Sequence, residues 1–391
     1  MKFEDMNLQK DVLKALSQMG LTHPTAIQLE AIPLIQEGYD VIGQSETGSG
    51  KTVAFGVPLV EKVKRGVRGQ VMIIAPTREL ARQIAHEIRK ISEVKVLQVQ
   101  SVYGGVDFNP QIRGLKKAEI IVGTPGRILD LMVRGALITD NIQIFVLDEA
   151  DTMVDMGFIT DIERIERHIP KDRQTLLFSA TMPHGVIDIV ERFAVNPKKV
   201  VTETRVDRDL LQQQYYDVKT SEKFSLLVYL LGKMNPESAL IFCNMRRHTD
   251  ILAQNLKIQG IKAEALYGTL GQNKREDILD RFHRNRIRFL VATNVAARGL
   301  DVENISHIFN YDIPDNTEDY INRIGRTARA GKKGVALSLV GDQDRKTFRN
   351  ITNPFHKELI KLGLPRFAKL PWKEKPQNKK KRSYRRKGRR R

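Results

Sequence analysis

The sequence predicts an α/β protein of two tandem domains, each a parallel sheet flanked by helices, followed by a disordered basic C-terminal tail. Three observations carry that expectation. Short Val- and Ile-rich runs alternate with stretches of helical periodicity, the pattern of strands buried on both faces of a parallel sheet. The alternation stops at Thr202–Leu210 (TETRVDRDL), a charged stretch without apolar period, and then restarts. Finally, Leu364–Arg391 holds 14 Lys/Arg against the single Glu374, so +13 of the net +19 lies there and +6 in the other 363 residues.

In the first domain, placed over residues 1–205, the strand candidates are Val41–Gly43, Val71–Ala75, Val94–Val102, Ile120–Val122, Ile144–Leu147 and Thr175–Phe178. Between them Leu80, Ile84, Ile88 and Ile91 recur at spacings of four, four and three, one apolar face of a helix. In the second domain, placed over 206–363, the candidates are Leu240–Cys243, Ala263–Leu266, Phe289–Ala292, Ile305–Asn310 and Val335–Leu339. The tail is placed over 364–391. Pro365, Pro371 and Pro376 oppose a helix there, and its charge suits a polyanion, since dense Lys/Arg runs bind phosphates by counterion release. Trp372 has two readings, stacking on a base or docking onto the second domain.

Composition narrows the classes. A chain 41% hydrophobic and 28% charged is globular, and no run reaches the length of a membrane span. The start, MKFEDMNLQK, lacks the apolar core of a secretory leader. Cys243 is the single cysteine and the eight histidines are scattered, which argues against disulfides and zinc sites. A soluble cytoplasmic monomer is the expectation.

Two segments carry chemistry. After Val41–Gly43 comes Ser45-Glu46-Thr47-Gly48-Ser49-Gly50-Lys51-Thr52, then a helical pattern. Strand, glycine-rich turn and helix start form a phosphate cradle, with backbone N–H groups around the anion, Lys51 on the outer phosphates and Thr52 on magnesium. The run Ile144–Leu147 delivers Asp148-Glu149-Ala150-Asp151 at a strand end, where α/β folds place their sites. Asp148 is expected to hold Mg2+ through water and Glu149 to activate the attacking water. Asn322-Arg323-Ile324-Gly325-Arg326-Thr327-Ala328-Arg329 supplies cations from the second domain, with Arg326 and Arg329 suited to the charge on a transferring phosphate.

Asp148–Asp151 reads DEAD, and over about residues 1–345 the chain resembles the DEAD-box RNA helicases, whose fold is two tandem RecA-like domains. Gly20–Gln28 (GLTHPTAIQ), with Phe3 upstream, is similar to the family's Q motif. The resemblance implies that Gln28 reads the adenine edge of ATP and Phe3 stacks on its ring. It implies RNA-backbone contacts from Pro76, Thr77 and Arg78, from Gly104 and Gly105, and from Thr124, Pro125, Gly126 and Arg127. Ser179-Ala180-Thr181, with Asp151, is implied to couple hydrolysis to strand separation. In the second domain Asn244 and Thr293 become RNA contacts, Gln272 and Arg275 match a further element, and Gly299 and Asp301 meet the nucleotide. Arg326 and Arg329 become arginine fingers, and Asn322 and Arg323 coupling residues. The departures are Asn322 for His, Asn294 for Asp and Leu21 for an aromatic.

The expected activity is therefore RNA-stimulated ATP hydrolysis that separates short duplexes locally and without sequence preference, with ATP, Mg2+ and RNA as ligands. Three other readings compete. They are a DNA helicase, an RNA clamp or annealing chaperone whose hydrolysis is a release timer, and a tail directed at a membrane surface or an acidic protein.

Overall fold

The computed structural model describes residues 1–45, 48–202, 210–297, 305–328, 333–355 and 358–374, except the side chains at 272, 273 and 295. The chain folds as two units. Met1–Leu210 forms the body of the first; Leu211–Ala296, Asn304–Ala328 and the residues from Lys332 form the second. The expected joint near 205 lies outside the described residues.

The first unit is built on seven parallel strands: β1 (Val41–Gln44), β2 (Val71–Ile74), β3 (Val99–Val102), β4 (Ile120–Gly123), β5 (Ile144–Asp148), β6 (Gln174–Ser179) and β7 (Lys198–Val201). Their order in the sheet is β3-β4-β2-β5-β6-β1-β7. Successive side chains serve opposite faces. Ile73, Val146, Leu176 and Phe178 enter one core, and Met72, Ile74, Phe145, Leu147 and Leu177 the other. Two buried faces leave no position for a polar residue, so these strands read as continuous apolar runs.

Helices cover both faces. The periodic stretch forms the helix Arg78–Ile91, with Leu80, Ile84, Ile88 and Ile91 all buried. It packs closely on the helix Lys51–Lys62, because a β-carbon at Gly56 would lie 2.7 Å from Ile88 Cδ1 and 2.9 Å from Ile91 Cδ1. Two strands differ from expectation. The run Val94–Val102 is strand only from Val99; Val96 sits at φ +57 in the turn that leaves the helix, its N–H donating to Ser92 O at 2.7 Å. β7 escaped notice because it is a charged edge strand with one buried residue, Val200.

The second unit repeats the plan with β8 (Leu211–Asp217), β9 (Ala239–Phe242), β10 (Ala263–Leu266), β11 (Phe289–Ala292), β12 (His307–Asn310), β13 (Gly334–Val340) and β14 (Leu359–Leu362). The order is β10-β11-β9-β12-β13-β8-β14, again parallel. β8 (LQQQYYD) carries a buried polar contact instead of an apolar run, Tyr320 Oη donating to Gln213 Oε1 at 3.0 Å. β14 is a half-exposed edge. Neither has the composition that marks the inner strands.

The segment expected to be disordered from Leu364 is held against the second unit as far as Glu374. Phe367 meets Tyr229 with ring centroids 6.3 Å apart, and Trp372 meets Phe224 edge-on at 5.3 Å. The Leu370 N–H donates to Ser225 Oγ at 3.0 Å, and Lys373 N–H to Asn255 Oδ1 at 3.0 Å. Three apolar side chains inside a basic segment give this stretch a core to join, and Trp372 docks. Residues 375–391 lie outside the described ones. Among the described residues no helix is long and apolar enough to cross a membrane.

Candidate active site

Three neighbouring strands, β5, β6 and β1, bring the phosphate cradle and the acids to one end of the first sheet. The loop after β1 is anchored by Ser45, whose N–H donates to Ser179 O at 3.0 Å. Gly48 and Gly50 lie at φ +87 and +90, which non-glycine residues rarely adopt. Gly50 has a second constraint, for a β-carbon there would stand 2.2 Å from Gln28 Nε2. The helix Lys51–Lys62 begins at once, aiming its free N–H groups into the loop. Lys51 is 6% exposed, and its Nζ donates to Ser45 O at 2.9 Å. Thr52 follows, half-buried in the first turn. Glu46 and Thr47 lie outside the described residues.

Asp148 and Glu149 are 2% and 5% exposed at the end of β5. Glu149 stands at φ +51 while its N–H donates to Asp148 Oδ1 at 3.0 Å. A non-glycine residue held there costs on the order of 1 kcal/mol, and such strain concentrates at functional positions. Asp151 ties β5 to β6. Its Oδ2 accepts from Ala180 N–H at 3.2 Å, Thr181 N–H at 2.9 Å and Thr181 Oγ1 at 3.0 Å, while its own N–H donates to Ser179 Oγ at 3.1 Å. These bonds join the end of β5 directly to the Ser-Ala-Thr segment at the end of β6.

Burial pushes the Asp148 carboxyl up to about 7; Lys51 opposes the rise and Glu149 adds to it. In the unfolded chain the same group titrates near ~3.9. Ionised Asp148 therefore costs stability, a cost absent below about pH 4 and fully developed above about pH 7. Asp148→Asn is expected to leave stability unchanged at pH 4 and to raise it by on the order of 2–4 kcal/mol at pH 8. Urea unfolding of the nucleotide-free protein at both pH values checks this. An equal effect at the two, or a loss at pH 8, contradicts it.

Gln28 is brought to the cradle and Phe3 is not. Gln28 Oε1 accepts from Thr25 N–H at 2.9 Å and its Nε2 donates to Gly50 O at 3.0 Å, while Thr25 Oγ1 donates to Ser49 O at 2.8 Å. Phe3 is 2% exposed inside the apolar core, its N–H on Thr22 O at 3.2 Å. A ring so enclosed has no face for a base. Here it braces the segment leading to Gln28, and stacking on adenine would need the ring to leave this core.

The other strands, β2, β3 and β4, end in the segments expected to grip RNA. The Arg78 guanidinium lies over Gly104 and Gly105, where a β-carbon on Gly105 would come within 2.1 Å of Nη1. Pro76 is buried, and Thr77 caps the helix Arg78–Ile91 through its Oγ1, which accepts from Leu80 N–H at 3.2 Å. Thr124 is the cap of the helix Pro125–Val133, whose second residue, Gly126, is exposed. Arg127 is 7% exposed, 3.8 Å over the Phe108 ring, with Nη2 donating to Val106 O at 3.1 Å. Its Nη1 is buried without a hydrogen-bond partner among the described residues.

In the second unit, Arg323 is a buried hub, 1% exposed. Its Nε donates to Asn294 Oδ1 at 2.7 Å, Nη1 to Asp312 O at 2.6 Å and Nη2 to Asn244 Oδ1 at 2.7 Å. Burial lowers its pKa to about 10. Asn244 spends its other end on Ile313 O at 2.8 Å. Thr293 follows β11 and is half-buried.

Residues 25–189 match the family model described as DEAD/DEAH box helicase, and 222–331 the helicase conserved C-terminal domain. The DEAD-box ATP-dependent RNA helicase CshA of Geobacillus kaustophilus is 45% identical over 366 residues, covering 93% of this chain and 78% of that protein. This chain belongs to the DEAD/DEAH box helicases. CshA of Bacillus subtilis is 44% identical over 366 residues, covering 93% and 74%. The solved structure of S. cerevisiae Dbp5 bound to RNA and ADP BeF3 superposes with a TM-score of 0.83 at 34% identity, covering 92% of this chain and 95% of that one.

In this DEAD/DEAH box helicase Asn244, expected on RNA, and Arg323, expected in coupling, share one hydrogen-bond network with Asn294, in which Arg323 is buried, Asn294 half-buried and Asn244 exposed. Asn294 in place of an acid removes an ion pair and keeps the acceptor, so the guanidinium is held by neutral oxygens. Asn322 is half-buried on the helix Thr317–Ile324 and Arg326 is 6% exposed just beyond it. Gly299, Asp301 and Arg329, with the side chain of Gln272, lie outside the described residues. Thr25 was missed as a loop-holding residue, although Thr25–Gln28 has the T-x-x-Q spacing of a helix cap. Arg275 donates to Ala296 O at 3.0 Å, bracing the segment after β11.

Proposed function

We propose that this helicase couples ATP hydrolysis to local, sequence-independent separation of short RNA duplexes or removal of RNA-bound protein. One observation carries the reading. The strands are parallel, so the loop after β1, the acids after β5 and the segments that follow β2, β3 and β4 all lie at one end of the first sheet, which supports one surface for nucleotide and RNA.

ATP is bound by the Ser45–Thr52 loop and by Gln28, with Lys51 against the outer phosphates. Asp148 and the Thr52 hydroxyl suit Mg2+, since a desolvated carboxylate in a site with one neighbouring lysine has room for further positive charge. Among the described residues no cluster of three or more His, Cys, Asp or Glu competes for it. The ion, when bound, neutralises phosphate charge and polarises the phosphoryl group. Glu149 orients the attacking water and accepts its proton. Arg326 and Arg329 stabilise the transferring phosphoryl group when ATP and RNA act on both domains. Glycine, threonine and arginine contacts to backbone carry no base information, so recognition is sequence-blind. Preference for RNA rests on the 2′-hydroxyl. The single cysteine, Cys243, is buried and free, which suits the cytoplasm.

Displacement of a short labelled strand from an RNA duplex tests this. ATP-dependent displacement that fails on a DNA duplex is expected, and displacement without ATP, or equal on DNA, refutes the reading.

The tail adds affinity. Removing 375–391, with 11 Lys/Arg and no acid, is expected to weaken RNA binding several-fold and flatten its salt dependence. Cutting after Glu374 spares the docked Phe367 and Trp372. Anisotropy titrations at two salt concentrations check it, and unchanged affinity and slope refute it.

A further inference from the structure

The second sheet has an end opposite the one that carries Asn244 and Thr293. There Ala263, Phe289, Ala239 and His307 pair in one register row across β10, β11, β9 and β12. Lys262, Arg288, Ser238 and Ser306, each one residue earlier, therefore line up about 5 Å from strand to strand. The helix Gln272–His283 closes beside this row, with Arg286 N–H on Arg281 O at 2.8 Å and Asn285 at φ +54, which presents Arg286 next to Arg288. Both Arg288 Nη atoms donate to Asn235 Oδ1 at 3.1 Å, tying the turn before β11 to the turn before β9.

Lys233, Lys262, Arg286 and Arg288 are all exposed. Within the turns 235–238, 259–262, 284–288 and 305–306, Glu237 is the one carboxylate, and no aromatic residue occurs. The centre of the row stays polar, with Ser306 Oγ donating to Ser238 O at 2.6 Å.

We propose that this end of the sheet is a second RNA-backbone surface, which holds RNA outside the strand being remodelled. The inference rests on the RNA reading above. Guanidinium forks match phosphate oxygens bidentately. A protein partner would need an aromatic or apolar anchor at the centre of its contact, and the exposed apolar side chain nearby, Ile258, stands at the end of its helix, outside the row. The tail begins on the same side, because Lys373 is bonded to Asn255 one turn from the end of the helix Arg246–Ile258, which leads through Gly260 to Lys262.

The test uses the full chain with Lys262→Glu/Arg286→Glu. Lys10→Glu/Lys14→Glu, two exposed lysines of the first domain, makes the same change in net charge. Two RNAs serve as probes, a single strand of about 10 nucleotides and a hairpin RNA of about 40. The Lys262/Arg286 pair is expected to bind the short RNA and respond to it in ATP turnover like the parent. On the long RNA it should bind about 10-fold more weakly, with a log–log salt slope shallower by about 2. Matched thermal unfolding confirms the fold. Parental affinity for the long RNA, an equal loss in the Lys10/Lys14 pair, or an equal loss on the short RNA overturns the inference. A parent chain indifferent to both RNAs overturns the RNA reading and this inference with it.

Discussion

Replacing Glu149 with Gln is expected to lower RNA-stimulated ATP turnover by about 10²–10⁴-fold while ATP and RNA binding persist. The side chain is 5% exposed, and its backbone at φ +51 is held by the hydrogen bond to Asp148. Gln preserves size and the strained turn and removes only the proton acceptor. Steady-state turnover alongside anisotropy with nucleotide and RNA checks it. Turnover within a few-fold of the parent would assign the proton to another group. The same variant separates helicase from clamp. Strand displacement that persists while turnover fails means that binding alone opens the duplex and hydrolysis is the release timer.

Arg323→Met is expected to destabilise the second domain by about 1–3 kcal/mol. The substitution leaves Asn244 Oδ1, Asn294 Oδ1 and Asp312 O without their donor, where Asn294 and Asp312 are half-buried and Asn244 is exposed. At the usual conversion for domains of this size, the transition should fall by about 5 °C. Asn294→Asp should do the reverse in a small way, giving the guanidinium a counter-charge at the same atom position. A melting temperature unchanged in Arg323→Met would mean that the hub is dispensable. The departure at Asn294 then acquires a physical reading, since it weakens the grip on Arg323 without breaking it.

Most of the fold was legible because the inner strands are buried on both faces. Val71–Ile74, Ile120–Gly123 and Phe289–Ala292 have no polar residue to blur the pattern. The edges were not legible. β7 and β14 are half-exposed, and β8 hides its register behind three glutamines. The site was legible where chemistry fixes both residue type and spacing, as in Ser45–Thr52 and Asp148–Asp151. It was less so where a motif residue serves the fold. Phe3 and Arg323 have the letters of ligand-binding residues, and only their burial reveals that they brace others. Trp372 sits among charges yet docks, because Phe224 offers an edge no sequence pattern announces.

Everything rests on nucleotide chemistry that answers to RNA. Steady-state ATP turnover by the full chain, with and without single-stranded RNA, measures that link most directly. The account predicts a turnover that rises and saturates as RNA is added, and that single-stranded DNA of the same length fails to raise. Turnover indifferent to RNA, or raised equally by DNA, would contradict it.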